Sequence, residues 1–328
     1  MASLLDKFHR RIDYMRISVT DRCDLRCIYC TERSVPHLSH YDILRYEEIH
    51  RVVQAAAKLG VKSLRITGGE PLLRPNLSIL LGLLVQQVES IDDISLTTNG
   101  TLLSRYAAEL KAAGLKRVNI SLDTFRADRY KYITGSDKLR DVLNSIEAAK
   151  KAQLTPVKIN IVVMRGVNDD ELIDFARMSV SEGWHVRFIE EMPLVVPELD
   201  GNKLVTVQKM MATIQESLGG LEPCLTTTGR GPAKYYRLPH AEGTLGFIGP
   251  VTDCFCATCN RFRLTADGGL RPCLLEDDEI NIKESLRDGA TINELEQLMR
   301  QAVALKRERH RLNKDFAPGK RQMWQIGG

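Results

Sequence analysis

The chain has 328 residues, 43% hydrophobic and 27% charged, which suits a large α/β unit with an appendage and a water-soluble globular composition. A net charge of +4 is too small to argue for nucleic acid, and aromatics at 6% are too sparse for the basic, aromatic-studded stripe of a nucleic-acid-binding protein. The opening MASLLDKFHRRIDYM holds no apolar run of signal-peptide length, and no stretch approaches the ~20 apolar residues of a membrane span, so a cytoplasmic protein without a membrane partner is expected.

Strand patterns alternate with helical ones through the first 192 residues. Strands are expected over 16–19, 63–67, 93–97, 118–122, 157–163 and 185–190. Between the first two, Ile49, Val52, Val53, Ala56 and Leu59 fall on one helical face. Gly60, Gly114 and Gly183 each close a helical stretch just before the next strand, where a left-handed C′ residue costs glycine nothing. The repeating unit of helix, glycine and strand predicts a parallel sheet. In βα folds, reactive groups gather at the C-terminal ends of the strands.

The first strand runs into a loop carrying Cys23, Cys27 and Cys30 in C-x3-C-x2-C spacing. Iron–sulfur clusters normally take four thiolates, so three leave one iron of a [4Fe–4S] cube open to a ligand. A structural zinc site would want a fourth ligand, for which His37 and His40 lie downstream. Disulfides would leave an odd thiol. This spacing after a first strand, with Tyr29 before the third cysteine, resembles the signature of the radical S-adenosylmethionine enzymes. The resemblance implies a partial (β/α)6 barrel resembling a TIM barrel, with S-adenosylmethionine chelated at the open iron.

Strand two ends in Gly68-Gly69-Glu70-Pro71, which reads either as a tight βα turn or as backbone that approaches a ligand. Strand three ends in Thr97-Thr98-Asn99-Gly100 and strand four in Ser121-Leu122-Asp123. Strand five carries Lys158 among aliphatics, a costly placement unless the lysine reaches the surface or an anion. Strand six carries Arg187 and ends in Glu190-Glu191-Met192.

From about residue 193 the pattern changes to a C-terminal α+β extension, so a division into 1–192 and 193–328 is expected. A helix is predicted over 206–217, short strands over 244–248 and 263–266, a turn at Asp267-Gly268-Gly269, and a helix over 291–307 whose basic end complements its dipole. Cys256, Cys259 and Cys273 form a second trio, C-x2-C-x13-C, for which zinc and iron–sulfur are near even on spacing alone. Beside the first trio, a second open cluster is the better reading. Cys224 and Cys254 are left over as structural or incidental. Arg261 and Arg263 alternate on a strand beside the trio, and guanidinium forks suit phosphate.

Taken nearly end to end, these motifs, with Asn119-Ile120-Ser121-Leu122-Asp123 and the terminal Gly327-Gly328, resemble the branch of the family that cyclises GTP in the first step of molybdenum cofactor biosynthesis. By motif position the resemblance implies two [4Fe–4S] clusters, one on Cys23, Cys27 and Cys30, the other on Cys256, Cys259 and Cys273. It implies S-adenosylmethionine contacts at Tyr29, Gly69, Ser121 and Met192. GTP contacts are implied at Arg16, Arg65, Thr97, Lys158, Arg261 and Arg263, the last two also acting in catalysis. It further implies a homodimer, an external electron donor, and a next enzyme that makes cyclic pyranopterin monophosphate. The sequence departs from the family at 31–36, which lacks the usual Leu/Met-Pro pair, and around 193–208, which is short. The alternatives are a peptide- or protein-modifying radical enzyme, which would typically carry more C-terminal cysteines, and a zinc- or cluster-bearing nucleic-acid binder.

Overall fold

A computed structural model describes residues 3–30, 37–192, 204–225, 229–312 and 321–327. The departure at 31–36, the first part (193–203) of the departure around 193–208, part of the loop before residue 230, and Gly328 lie outside them. Six strands alternate with helices in the first part: β1 (Tyr14–Ser18), α1 (Tyr46–Lys58), β2 (Ser63–Thr67), α2 (Leu77–Gln87), β3 (Asp93–Thr98), α3 (Leu103–Ala112), β4 (Arg117–Ser121), α4 (Ala127–Thr134), α5 (Leu139–Lys151), β5 (Lys158–Val163), α6 (Leu172–Ser181) and β6 (His185–Glu190). The second part adds α7 (Val207–Leu218), β7 (Glu222–Pro223), β8 (Lys234–Arg237), β9 (Thr244–Ile248), β10 (Arg261–Leu264), β11 (Gly269–Arg271), β12 (Ile280–Asn281), α8 (Lys283–Arg287) and α9 (Ile292–Ala304). The strand expected over 263–266 begins two residues earlier, so Arg261 and Arg263 both lie within it.

The twelve strands of the described residues belong to one sheet, in the order β12-β11-β10-β1-β2-β3-β4-β5-β6-β9-β8-β7. The first six strands run parallel in chain order, as the βα repeat predicts. Among the described residues the C-terminal region builds no sheet of its own. It contributes β10, parallel to β1, and β9, parallel to β6, one on each flank of the six. Antiparallel strands then finish both edges, and the sheet stays open, a partial barrel.

Side chains alternate across each strand, and here the usual polarity is inverted. Met15, Ile17, Leu64, Ile66, Leu96, Val118, Ile120, Ile159, Ile161, Val186 and Phe188 are buried apolar residues of the main core. Their alternate neighbours Arg16, Arg65, Thr97, Ser121, Asn160 and Arg187 line an internal cavity. Gly60, Gly114 and Gly183 have positive φ, as their places before β2, β4 and β6 predict. A Cβ on Gly114 would also meet Val85 Cγ2 at 2.6 Å, so helix α2 closes over it.

Candidate active site

The loop after β1 is tied down on every side. Val19 donates to the Thr67 carbonyl at 2.9 Å, Gly69 to Thr20 at 2.8 Å, and Glu70 to Arg22 at 2.7 Å. A Cβ on Gly69 would lie 2.4 Å from the Arg22 carbonyl oxygen. The glycine pair therefore lets the cysteine loop itself approach, and Gly69 also borders the cavity. Glu70 is fully buried and accepts from the Leu72 amide, the Thr98 hydroxyl and the Asn99 amide. Burial, only partly offset by these donors, pushes its carboxyl up to about 7. Asp24, between the first two cysteines, accepts from Asn99 Nδ2, Thr101 Oγ1 and Lys138 Nζ at 2.8–2.9 Å. Tyr29 donates to Asp123 Oδ2 at 2.8 Å while the Val162 amide holds Oδ1. Sequence reasoning noted Asp123 as a polar strand end but missed it as the anchor of Tyr29; the pairing spans 94 residues.

Cys23, Cys27 and Cys30 are half-buried and line the cavity. Burial pushes the Cys23 thiol up to about 11 and Cys30 up to about 12, and burial together with the neighbouring Cys30 raises Cys27 well above the usual thiol range. The second trio lies at the other end of the strands. Cys256 and Cys259 precede β10, and Asn260 accepts from the amides of Asp13 and Tyr14 at the start of β1. Cys273 follows β11, which runs back antiparallel to β10 and so returns to that same end. Burial works to raise Cys259, but the Arg261 and Lys306 charges outweigh it and bring the thiol down to about 6. The two trios thus face one cavity of about 400 Å³ from opposite ends, a size within the range of small-molecule sites.

In neither trio do all three sulfurs lie within 4.8 Å of one another. A tetrahedral zinc site with bonds of about 2.3 Å would hold its sulfurs about 3.8 Å apart. The donor sets therefore fit a multi-iron cluster better than a single ion. Among the described residues one other group is compact: Cys254, Cys256 and His310. His310 Nδ1 accepts from the Leu312 amide at 3.2 Å, which leaves the proton on Nε2, 3.5 Å from Cys254 Sγ. A metal-bound imidazole donates from its free nitrogen, so this arrangement reads as a hydrogen-bonded thiol. Cys254 is then held in place rather than incidental.

Between the trios the wall is cationic. Strand register sets Arg16 beside both Arg65 and Arg263, and Tyr14 beside Arg261. Among the described residues, Arg65 donates to Tyr14 Oη and Thr97 Oγ1, Arg187 to Asn119 Oδ1, and Arg263 to the carbonyls of Ile326 and Gly327. Burial, then Arg261, lowers Arg263 to about 10, and burial with Arg263 drives Arg16 down. Such a belt of buried like charges favours an anion in its midst. Arg187 and Tyr14 were not singled out for this belt; their place in it depends on register, which single strands do not disclose.

Tyr29, Gly69, Thr97, Ser121, Met192 and Arg261 also border the cavity. Lys158 does not line it. Its Nζ donates to Tyr235 Oη at 3.1 Å and lies 5.0 Å from that ring, on β8. The tail enters from the other side: Arg16 and Arg263 both donate to the Gly327 carbonyl, at 3.0 and 2.8 Å, and Trp324 packs edge-on to His37. Among the described residues no helix is long and apolar enough to cross a membrane.

The chain matches the Radical SAM superfamily over residues 17–179 and the family described as Molybdenum Cofactor Synthesis C over residues 184–312. A GTP 3′,8-cyclase of Pelotomaculum thermopropionicum is 50% identical, covering 98% of this chain and 99% of its own. A GTP 3′,8-cyclase of Syntrophomonas wolfei is 47% identical, over 99% of this chain and all of its own. Among solved structures, Streptococcus suis SuiB bound to S-adenosylmethionine superposes with a TM-score of 0.64 at 14% identity, covering 91% of this chain and 69% of that one. Native anSMEcpe with bound AdoMet gives 0.60 at 19%, covering 88% and 81%. At such identities these two speak for the fold alone.

Proposed function

The chain belongs to the GTP 3′,8-cyclase family of radical S-adenosylmethionine enzymes, and on that premise we propose how its cavity divides the work. The reaction converts GTP to (8S)-3′,8-cyclo-7,8-dihydroguanosine 5′-triphosphate, the first step of molybdenum cofactor biosynthesis. The radical S-adenosylmethionine part carries a [4Fe–4S] cluster and S-adenosylmethionine, which together supply one-electron chemistry that starts hydrogen abstraction.

Cys23, Cys27 and Cys30 would hold that cluster, with Asp24, Glu70 and Asn99 keeping their loop rigid. Tyr29, oriented by Asp123, together with Gly69, Ser121 and Met192, would bind S-adenosylmethionine at the same end. Arg16, Arg65, Thr97, Arg261 and Arg263 would bind GTP along the belt, with Arg187 beside them, and Lys158, held by Tyr235 behind the wall, would swing toward the triphosphate to join them. Cys256, Cys259 and Cys273 would hold a second [4Fe–4S] cluster whose open iron meets the guanine base. Binding GTP at both ends restrains the ribose, and restraint matters because a primary radical reacts with any nearby C–H bond. The division at 192/193 then separates cofactor activation from the second cluster, although both parts share one sheet. A homodimer, an external electron donor and a following cyclic pyranopterin monophosphate synthase complete the reading.

The observation that carries it is the single cavity, cationic in its middle and ended by a thiol trio on each side. The anaerobically reconstituted chain with S-adenosylmethionine, a reductant and GTP should form 5′-deoxyadenosine in a GTP-dependent manner, with about eight irons per chain. Stoichiometric zinc with negligible iron would refute it.

A further inference from the structure

Two buried cations lie near the second trio and outside the cavity wall. Lys306, just beyond α9, is 3% exposed; Arg10, from the segment before β1, is 8% exposed. Lys306 Nζ donates to the carbonyls of Arg261 at 2.8 Å and Pro272 at 2.6 Å. Arg10 Nη1 donates to the carbonyls of Cys256 at 2.7 Å and Glu308 at 3.0 Å, Nη2 to Arg307 at 2.6 Å, and Nε to Asp6 at 2.6 Å. Between them, the two side chains hold a backbone carbonyl at or within two residues of each cysteine of the trio.

Arg10 has a carboxylate partner in Asp6. Lys306 differs, since both its hydrogen bonds among the described residues go to neutral carbonyls. Two carbonyls could be satisfied by a neutral donor. A buried ammonium is costly unless an anion lies close. Its two carbonyl acceptors belong to Arg261, two residues after Cys259, and to Pro272, the residue before Cys273, which sets the charge beside whatever anionic group those two cysteines hold.

We propose that Lys306 and Arg10 are positioning residues for the second thiol trio, and that the Lys306 charge raises the reduction potential of the cluster held there. The proposal rests on the reading that this trio binds an iron–sulfur cluster. Arg10 fixes the Cys256 loop against the segment after α9. Lys306 pins β10 and β11 together where Cys259 and Cys273 emerge. Reduction adds negative charge to the cluster, and a fixed cation beside it stabilises that form.

The test uses the full chain with Cys23, Cys27 and Cys30 changed to Ala, so that the second trio is the cluster site observed. Iron and sulfide are counted, the potential is followed by EPR-monitored redox titration, and iron loss is timed under a chelator. Lys306→Met should lower the potential, and Lys306→Arg should restore most of that shift. Arg10→Gln should speed iron loss about tenfold. A Lys306→Met chain that loads full iron at the parent potential overturns the role of the charge. If Lys306→Met is not recovered folded by circular dichroism, the Arg10→Gln rate decides, and a parent-like rate overturns the clamp. A parent chain that takes zinc and no iron refutes the second-cluster reading, and the proposal falls with it by a distinct result.

Discussion

Lys158 sits where its charged form is disfavoured. Burial first, then Arg187, Arg117 and Arg65, lower it from 10.5 to about 6. In the unfolded chain the amine stays protonated across that interval, whereas in the folded protein it does not. Stability should therefore rise with pH between about 6 and 10.5, since the unfolded state binds the extra proton there. A bound triphosphate reverses the balance and draws a proton onto the amine. GTP affinity should then weaken as pH rises from 7 to 9, by up to about tenfold per pH unit, with proton uptake seen in calorimetry across buffers of different ionisation heat. Lys158→Met should flatten that profile; an unchanged slope in the variant removes Lys158 from the phosphate site. Arg263, lowered only to about 10, stays mainly charged between pH 7 and 9. Arg263→Ala deletes a buried fork and should weaken GTP binding by about 10–100-fold, while full iron is retained. Equal affinity in variant and parent would show that the belt holds something other than the triphosphate.

At the scale of elements, the junctions between strand ends decide whether the side chains above are in place. Gly69→Ala would drive a methyl group into the Arg22 carbonyl, backbone against backbone. Iron should fall from about eight to about four per chain as the first trio is lost and the second survives; eight irons in the variant would show that the loop can move aside. Glu190, at the end of β6, is fully buried and accepts from the amides of Val207, Val251 and Thr252, besides the Thr252 hydroxyl. It joins β6 to α7 and to the loop that leads to the second trio. Glu190→Ala should cost about 3 kcal/mol in denaturant unfolding, because three buried amides lose their acceptor at once; a loss below 1 kcal/mol would mean that water replaces the carboxylate. Much of this level is legible in the sequence. Strand alternation, the glycines before β2, β4 and β6, and the cysteine spacings are local patterns with local causes. What escapes is pairing at long range. Nothing in Arg261–Leu264 says that it will lie parallel to Tyr14–Ile17, 247 residues earlier in register. The neighbours of Arg187, the anchor of Tyr29 and the carbonyls held by Lys306 all follow from such pairings.

For the whole molecule, strand direction makes a definite statement about where electrons can be. In a βα barrel the reactive groups gather at the C-terminal ends of the strands, and Cys23, Cys27 and Cys30 obey this. The C-terminal region evades it by lending β10, entered at its N-terminal end from Cys259, to the flank of β1. The sheet itself is therefore the spacer between the trios. β1 has five residues, and at about 3.3 Å per residue it spans roughly 15–17 Å. Two clusters held by these trios should lie roughly 15–20 Å apart. On the proposed reading, GTP would lie along the strands between them, with its phosphates at the arginine belt. Pulsed EPR on the doubly reduced protein reads that separation directly through the dipolar coupling of the two centres. The coupling should match this spacing and should persist in Arg263→Ala, since the sheet and not the substrate sets it. A separation under about 10 Å would place both trios at one mouth, and the strand pairing from which the active site is built here would be wrong.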